Sequence, residues 1–150
     1  MKIIFLSLLM LGLGSVAKSQ AAEDSVKATI EQLFLAMKTS DAALLVACFA
    51  DSAMLQTIGS DKQGAVTVKN ENIKNFAASI SKAPKGALDE RINFNMIKID
   101  GALASVWTPY SFYYNGNFSH CGANSFQLIR TRVGWKIQYL IDTRRKTGCE

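Results

Sequence analysis

Two dipeptides, Asp100-Gly101 and Asn115-Gly116, constrain this chain more than any other feature. Each tolerates positive φ at the central positions of a type I′ turn, and each lies between runs rich in Ile, Val, Phe, Tyr and Trp, so each predicts a β-hairpin. A third turn, Arg132 to Gly134, extends the pattern to four long antiparallel strands over Glu90 to Arg145. With short loops Ile99 faces Ala102, Tyr114 faces Asn117 and Thr131 faces Gly134.

Side chains alternate across a strand, so these pairs sort the sheet into two faces unless a β-bulge interrupts the count. One face collects Ile92, Phe94, Met96, Leu103, Trp107, Tyr113 and Phe118, then Phe126, Leu128, Trp135, Ile137, Tyr139 and Ile141. This is the expected core face, and His120 and Asn124 share it. The other is mixed, with Arg91, Ile97, Tyr110, Phe112, Cys121, Leu140, Asp142 and Arg144.

Upstream, Val26, Ile30, Leu33, Phe34 and Met37 recur near the helical period over Glu23 to Lys38. Ser40-Asp41 caps a second, short helix carrying Leu44, Leu45 and Cys48. Ala53 to Ile58 and Ala65 to Lys69 predict a hairpin, and Asn70 is expected to cap a third helix that stops at Pro84. Before all of these, Met1 to Gln20 has the layout of an export signal: Lys2, the apolar block Ile3 to Leu13, then small residues. That block is too short to span a membrane, which takes about 20 residues. Export to the periplasm or medium is expected, with residues 21–150 as one domain, and no membrane partner.

Removing Lys2 and Lys18 with the signal takes Lys+Arg from 17 to 15 against 12 acids, a net charge of +3 instead of +5. The basic residues lie late, at strand ends and a turn, where charge is usually solvated, so no nucleic-acid partner is expected. One His and three Cys without metal-ligand spacing predict no metal, and no Gly-rich phosphate loop points to a cofactor. Cys48 lies on an apolar stripe. Cys121 and Cys149 are the pair that could bridge, but the reading favours free thiols.

The order helix, helix, hairpin, helix, long meander resembles the nuclear transport factor 2-like superfamily over the whole mature chain. The residues carrying the resemblance are Lys38-Thr39-Ser40-Asp41, Phe49-Ala50-Asp51-Ser52-Ala53 and Gly134-Trp135-Lys136-Ile137. Within it, Ala104 to Tyr110 and His120 to Leu128 resemble an exported bacterial group named for lumazine binding. The resemblance implies an α+β fold: three N-terminal helices packed on a strongly curved antiparallel sheet, a cone open at one end into an apolar pocket. It also implies a homodimer through the outer sheet face.

On the expected inner face, Glu90, Ser111, His120 and Arg145 form a polar row beside an aromatic floor. This points to a small organic ligand bound against Phe94, Trp107, Tyr113 and Tyr139 beside Ser111, with His120 and Asn124 fixing its orientation. The alternative is a pocket enzyme doing proton-transfer chemistry of isomerase, cyclase or dehydratase type. There His120, the only His, is the base and Glu90 or Tyr113 its partner. Against catalysis stands the simpler reading that His120 and Asn124 satisfy each other. Ketosteroid-isomerase-like members use an inward carboxylate and phenolic or acidic donors. Asp142 falls on the outer face by the strand count, so that chemistry is not expected.

Overall fold

The computed structural model describes Met10 to Cys149, with side chains from Ser19 on. The start of the expected export signal, Met1 to Leu9, lies outside the described residues. Helix α1 (Met10–Thr39) starts well before Glu23 and buries the expected stripe of Val26, Ile30, Leu33, Phe34 and Met37. It stops at Ser40, which takes φ 59 where glycine is usual, while Asp41 N–H donates to the Ala36 carbonyl across 2.9 Å. Ser40 Oγ donates to the Ala83 carbonyl, an added tie for that strained residue. Asp41 then caps α2 (Ala42–Ala47) by accepting from Leu44 N–H.

Strands β1 (Phe49–Ser60) and β2 (Val66–Glu71) form the first hairpin, and α3 (Ile73–Ile80) follows. Its cap is Asn72, which accepts from Lys74 and Asn75 N–H, and not Asn70, which pairs with Gln56 in the sheet. Then come β3 (Leu88–Ile92), β4 (Met96–Asp100), β5 (Leu103–Tyr114), β6 (Asn117–Thr131) and β7 (Gly134–Thr143). The sheet order is β2-β1-β7-β6-β5-β3, with β4 also on β5. The fold is α+β, with the helices on a curved, unclosed sheet, as expected. The sheet is mixed, since β1 runs parallel to β7 with Thr57 beside Asp142.

The turns at Asn115-Gly116 and Arg132-Val133 have the expected registers, Tyr114 on Asn117 and Thr131 on Gly134. Asn115 and Gly116 both take positive φ, as a type I′ turn requires. The first turn is displaced: Asp100 pairs with Leu103 and Ile99 with Ala104, so its loop is Gly101-Ala102.

Three irregularities then break the alternation. Near the second turn Tyr113 pairs with Phe118 but Phe112 with His120, leaving Ser119 as an extra residue in β6. In the last hairpin Leu128 pairs with Ile137 but Gln127 with Tyr139, leaving Gln138 extra in β7. Asn93 to Asn95 separate β3 from β4 and shift the register on β5 by one residue. Each extra residue exchanges the two faces beyond it.

The expected faces are therefore wrong over β4, β5 and half of β7. Met96, Leu103, Trp107 and Phe118 are exposed, Trp107 at 41%. Tyr113, Tyr139 and Ile141 share that outer side. The inner face of β5 is Ala104, Val106, Thr108, Tyr110 and Phe112, and on β7 it is Trp135 and Ile137, then Leu140 and Asp142. Ile97, expected outside, packs against the core. Glu90, His120, Asn124, Phe126 and Leu128 lie inside as expected. The core sits between this face and α1, where Phe34 meets Phe126 edge-on at 6.3 Å.

Cys121 and Cys149 are disulfide-bonded, against the sequence reading. The tail folds back because Arg145 pairs with Cys121 through both backbone bonds, 2.9 Å each. Cys48 is buried and free, and burial pushes its thiol up to about 11. Among the described residues no helix is long and apolar enough to cross a membrane.

The bridge closes a loop 28 residues apart in sequence, so on the chain-entropy account its loss costs about 3 to 4 kcal/mol. Denaturant unfolding of Cys149→Ser should show a midpoint lowered accordingly; an unchanged midpoint would mean the tail contributes nothing to the folded domain.

Candidate functional site

The corrected register places one polar row across four strands. Thr108 on β5 pairs with Asn124 on β6, Asn124 with Asp142 on β7, and Asp142 lies beside Thr57 on β1. One step further along, Tyr110 pairs with Gly122. A Cβ on Gly122 would meet the Thr143 carbonyl oxygen at 1.8 Å and Tyr110 Cε1 at 2.8 Å. Only glycine leaves room there for the tyrosine ring to cross the strand. Tyr110 reaches over it and donates its hydroxyl toward Thr143 O at 2.9 Å and Asp142 Oδ2 at 3.2 Å.

Asp142 is the hub of this row. Thr57 Oγ1 donates to its Oδ1 across 2.6 Å, and Arg144 Nε to its Oδ2 across 3.0 Å. Burial first, then the charges of Asp142 and Glu90, push the Tyr110 phenol well above its ordinary range, so it stays a hydrogen-bond donor.

Beside the row lies a cavity of about 560 Å³ between α1, α3 and the inner sheet face. Leu33 and Phe34 of α1, Phe76 and Ile80 of α3, and Phe112 give it apolar walls. Glu90, Tyr110, His120, Asn124, Asp142 and Arg144 line its polar end. Glu90 comes to this end because β3 pairs it with Phe112, and Phe112 with His120. Asn124 Nδ2 donates to Glu90 Oε1 at 2.9 Å and toward Thr108 Oγ1 at 3.4 Å.

Glu90 is half-buried and lines the cavity, with Asn124 as its one hydrogen-bond donor. Burial, aided by the nearby Asp142 charge and opposed by the Asn124 bond and Arg144, pushes it up to about 7. His120 is shifted the other way: burial and then the Arg144 charge hold it below its ordinary value, so the ring is neutral at neutral pH. Its ring lies 4.9 Å from that of Phe112 and edge-on to Tyr110 at 5.8 Å. Nδ1 is 3.1 Å from Ser119 Oγ, which leaves Nε2 for the cavity.

Of the expected site residues, Glu90, His120 and Asn124 meet in this cavity. Trp107, Ser111, Tyr113 and Tyr139 do not. They are on the outer face, where Tyr113 carries Arg91 at 4.1 Å over its ring and Tyr139 donates to Gln56. Phe94 packs on the core, away from the cavity wall. Glu90 and His120 face Phe112, not Ser111, and Arg145 pairs with Cys121, not His120. Tyr110, Phe112, Asp142 and Arg144, expected on the outer face, line the cavity. The available signal was Gly122, since a glycine inside a long strand marks a bulge or a close approach.

Several solved structures share this architecture. An NTF2-like protein with a cystatin-like fold from Novosphingobium aromaticivorans superposes with a TM-score of 0.68 at 14% identity, covering 96% of this chain and 94% of that one. An NTF2-like protein of unknown function from Shewanella baltica gives 0.65 at 14% identity, covering 83% and 94%. A domain of unknown function with a cystatin-like fold from Nostoc punctiforme gives 0.64 at 18%, covering 85% and 80%. The chain has the nuclear transport factor 2-like fold. No protein-family model matches the chain, and no curated protein matches it in sequence. At these identities the likeness extends to the nuclear transport factor 2-like architecture and not to an activity. Among the described residues no group of three or more His, Cys, Asp or Glu is placed to hold a metal ion.

The two titrating groups give stability pH dependences of opposite sign. Glu90 binds its proton more tightly in the folded state, so its contribution is full below pH 4.5 and is lost as pH rises to about 7, by up to about 3 kcal/mol. His120 resists protonation when folded, so its contribution is lost as pH falls below its ordinary value of 6.5. Subtracting the stability profile of Glu90→Gln from that of the native protein should isolate the first trend. A flat difference between pH 4.5 and 7 would show that Glu90 titrates normally.

Proposed function

We propose that this chain is an exported protein that binds a small organic ligand inside the curved sheet. One observation carries the reading: a cavity of about 560 Å³ with aromatic walls and Glu90, His120 and Asn124 converging at one end. Pockets of roughly 300 to 1,000 Å³ with apolar walls and a few placed polar groups are the usual form of a small-molecule site. The layout of Met1 to Gln20 supports export. The exposed outer-face residues Met96, Trp107 and Phe118 support a homodimer through the sheet.

A second reading is favoured by the proton affinities. A carboxyl near neutrality beside a neutral imidazole and a phenol donor is a set suited to moving a proton. In that reading Glu90 exchanges the proton and His120 orients or relays, while Tyr110, whose one hydroxyl hydrogen goes to Thr143 O and Asp142, fixes the wall beside them. Asp142 faces inward, against expectation, but accepts from Thr57, Tyr110 and Arg144, which leaves Glu90 as the inward carboxyl for such chemistry.

A ligand-observed NMR screen of small aromatic compounds should yield hits that Phe112→Ala weakens about tenfold or more, the scale of losing a buried aromatic wall. With a converted hit in hand, Glu90→Gln separates the readings. Turnover falling about a hundredfold at kept affinity supports the enzyme. Hits bound without turnover by both proteins support the binding protein, and no hits at all would remove both.

A further inference from the structure

The polar end of the cavity is unevenly satisfied. Asn124 is 4% exposed and spends its amide hydrogens on Glu90 and Thr108, which turns Oδ1 away from both. Among the described residues no protein donor reaches that oxygen, and none reaches the second carboxyl oxygen of Glu90. Neither atom is sealed off, because no buried side-chain polar atom lacks a partner. Both residues line the cavity and lie against one another at its polar end. The nearest cation, Arg144, is engaged by Asp142 and Thr57.

We propose that the polar end of the cavity takes the N–H-bearing head of an amine or amidine ligand, held by Glu90 and Asn124, with its flat apolar body against Phe34, Phe76 and Phe112. The inference rests on the ligand-binding reading and adds the ligand class. An occupant that shuts these acceptors off from water without donating to them leaves them unpaired at a cost, so one that brings donors gains what a carbonyl or an anion cannot. A cation gains more, since its bond to the carboxylate is charge-assisted. An anion would meet Glu90 and Asp142 together.

Four flat probes of similar size separate the possibilities: benzamidine, benzamide, benzoate and toluene, titrated against the full protein by calorimetry or NMR. At pH 8 benzamidine should bind about tenfold or more tighter than benzamide, with benzoate weakest. Its affinity should rise between pH 5 and 8 as Glu90 ionises, while that of toluene stays flat. The groups that shape this profile are Asp142 from β7 and Arg144 just after it, His120 from β6 and Tyr110 from β5, with Glu71 and Lys82 exposed at the rim. The faces of α1 and α3 lining the cavity carry no charge.

Glu90→Gln should remove most of the benzamidine preference and leave toluene unaffected. If that variant fails to fold, the pH profile of the native protein decides. Toluene binding without a benzamidine preference overturns the donor proposal alone. Failure of all four probes overturns the cavity reading together with it.

Discussion

A single buried carboxylate, Asp142, holds the site end of this fold in place. Taking a carboxylate out of water costs several kcal/mol unless donors surround it, and here they come from three places. Thr57 reaches it from β1, Tyr110 from β5 and Arg144 from the end of β7 itself. The carboxylate therefore ties β1, β5 and β7 together through side chains, two strands of the sheet apart on one side. Because its lone pairs are taken up by this network, Asp142 is a structural charge. Its neighbour Glu90 has one partner and an open side, and that difference makes Glu90 the chemically available carboxyl.

The network exists only because β6 and β7 are bulged. Without Ser119 as an extra residue, Asn124 and Trp107 would share a rung, and Tyr110 would point outward with Cys121. Without Gln138, Asp142 would face away from the cavity. The bulges bring Tyr110, Asn124 and Asp142 to one face, and Gly122 lets the tyrosine ring lie across the strand between them. The large apolar residues then divided between two tasks. Phe126, Leu128 and Ile137 fill the core against α1, while Trp107, Met96 and Phe118 are left exposed on the outer face. Aromatic weight alone does not tell these tasks apart, since both need apolar contact area.

Local chemistry was legible residue by residue. Asn115-Gly116 and Asp41 act through bonds within a few positions of themselves, so the type I′ turn and the α2 cap could be read directly. The stripe on α1 could be read because helical periodicity is local and unbroken there. Architecture followed, because that order of helices and hairpins has few ways to cover one sheet face. The failures share one cause. Face assignment in a strand accumulates from its turn, so one extra residue inverts everything beyond it, and nothing at Ser119 or Gln138 marks it as extra. The disulfide failed for a related reason, since Cys149 reaches Cys121 only after Arg145 has paired with it.

The sequence by itself determined the α+β order, the positions of two of the three turns, the core stripe of α1 and the inward placement of Glu90, His120 and Asn124. The turns and the stripe are set by contacts close in sequence, and His120 and Asn124 share a face with Phe126 and Leu128 because β6 alternates unbroken from His120 onward. Only the tertiary structure decided that Tyr110 and Asp142 join them, that Trp107 does not, and that Cys121 is bridged. These depend on bulges whose position is fixed by how β5, β6 and β7 pack against α1 and β1, a balance of burial summed over the whole sheet.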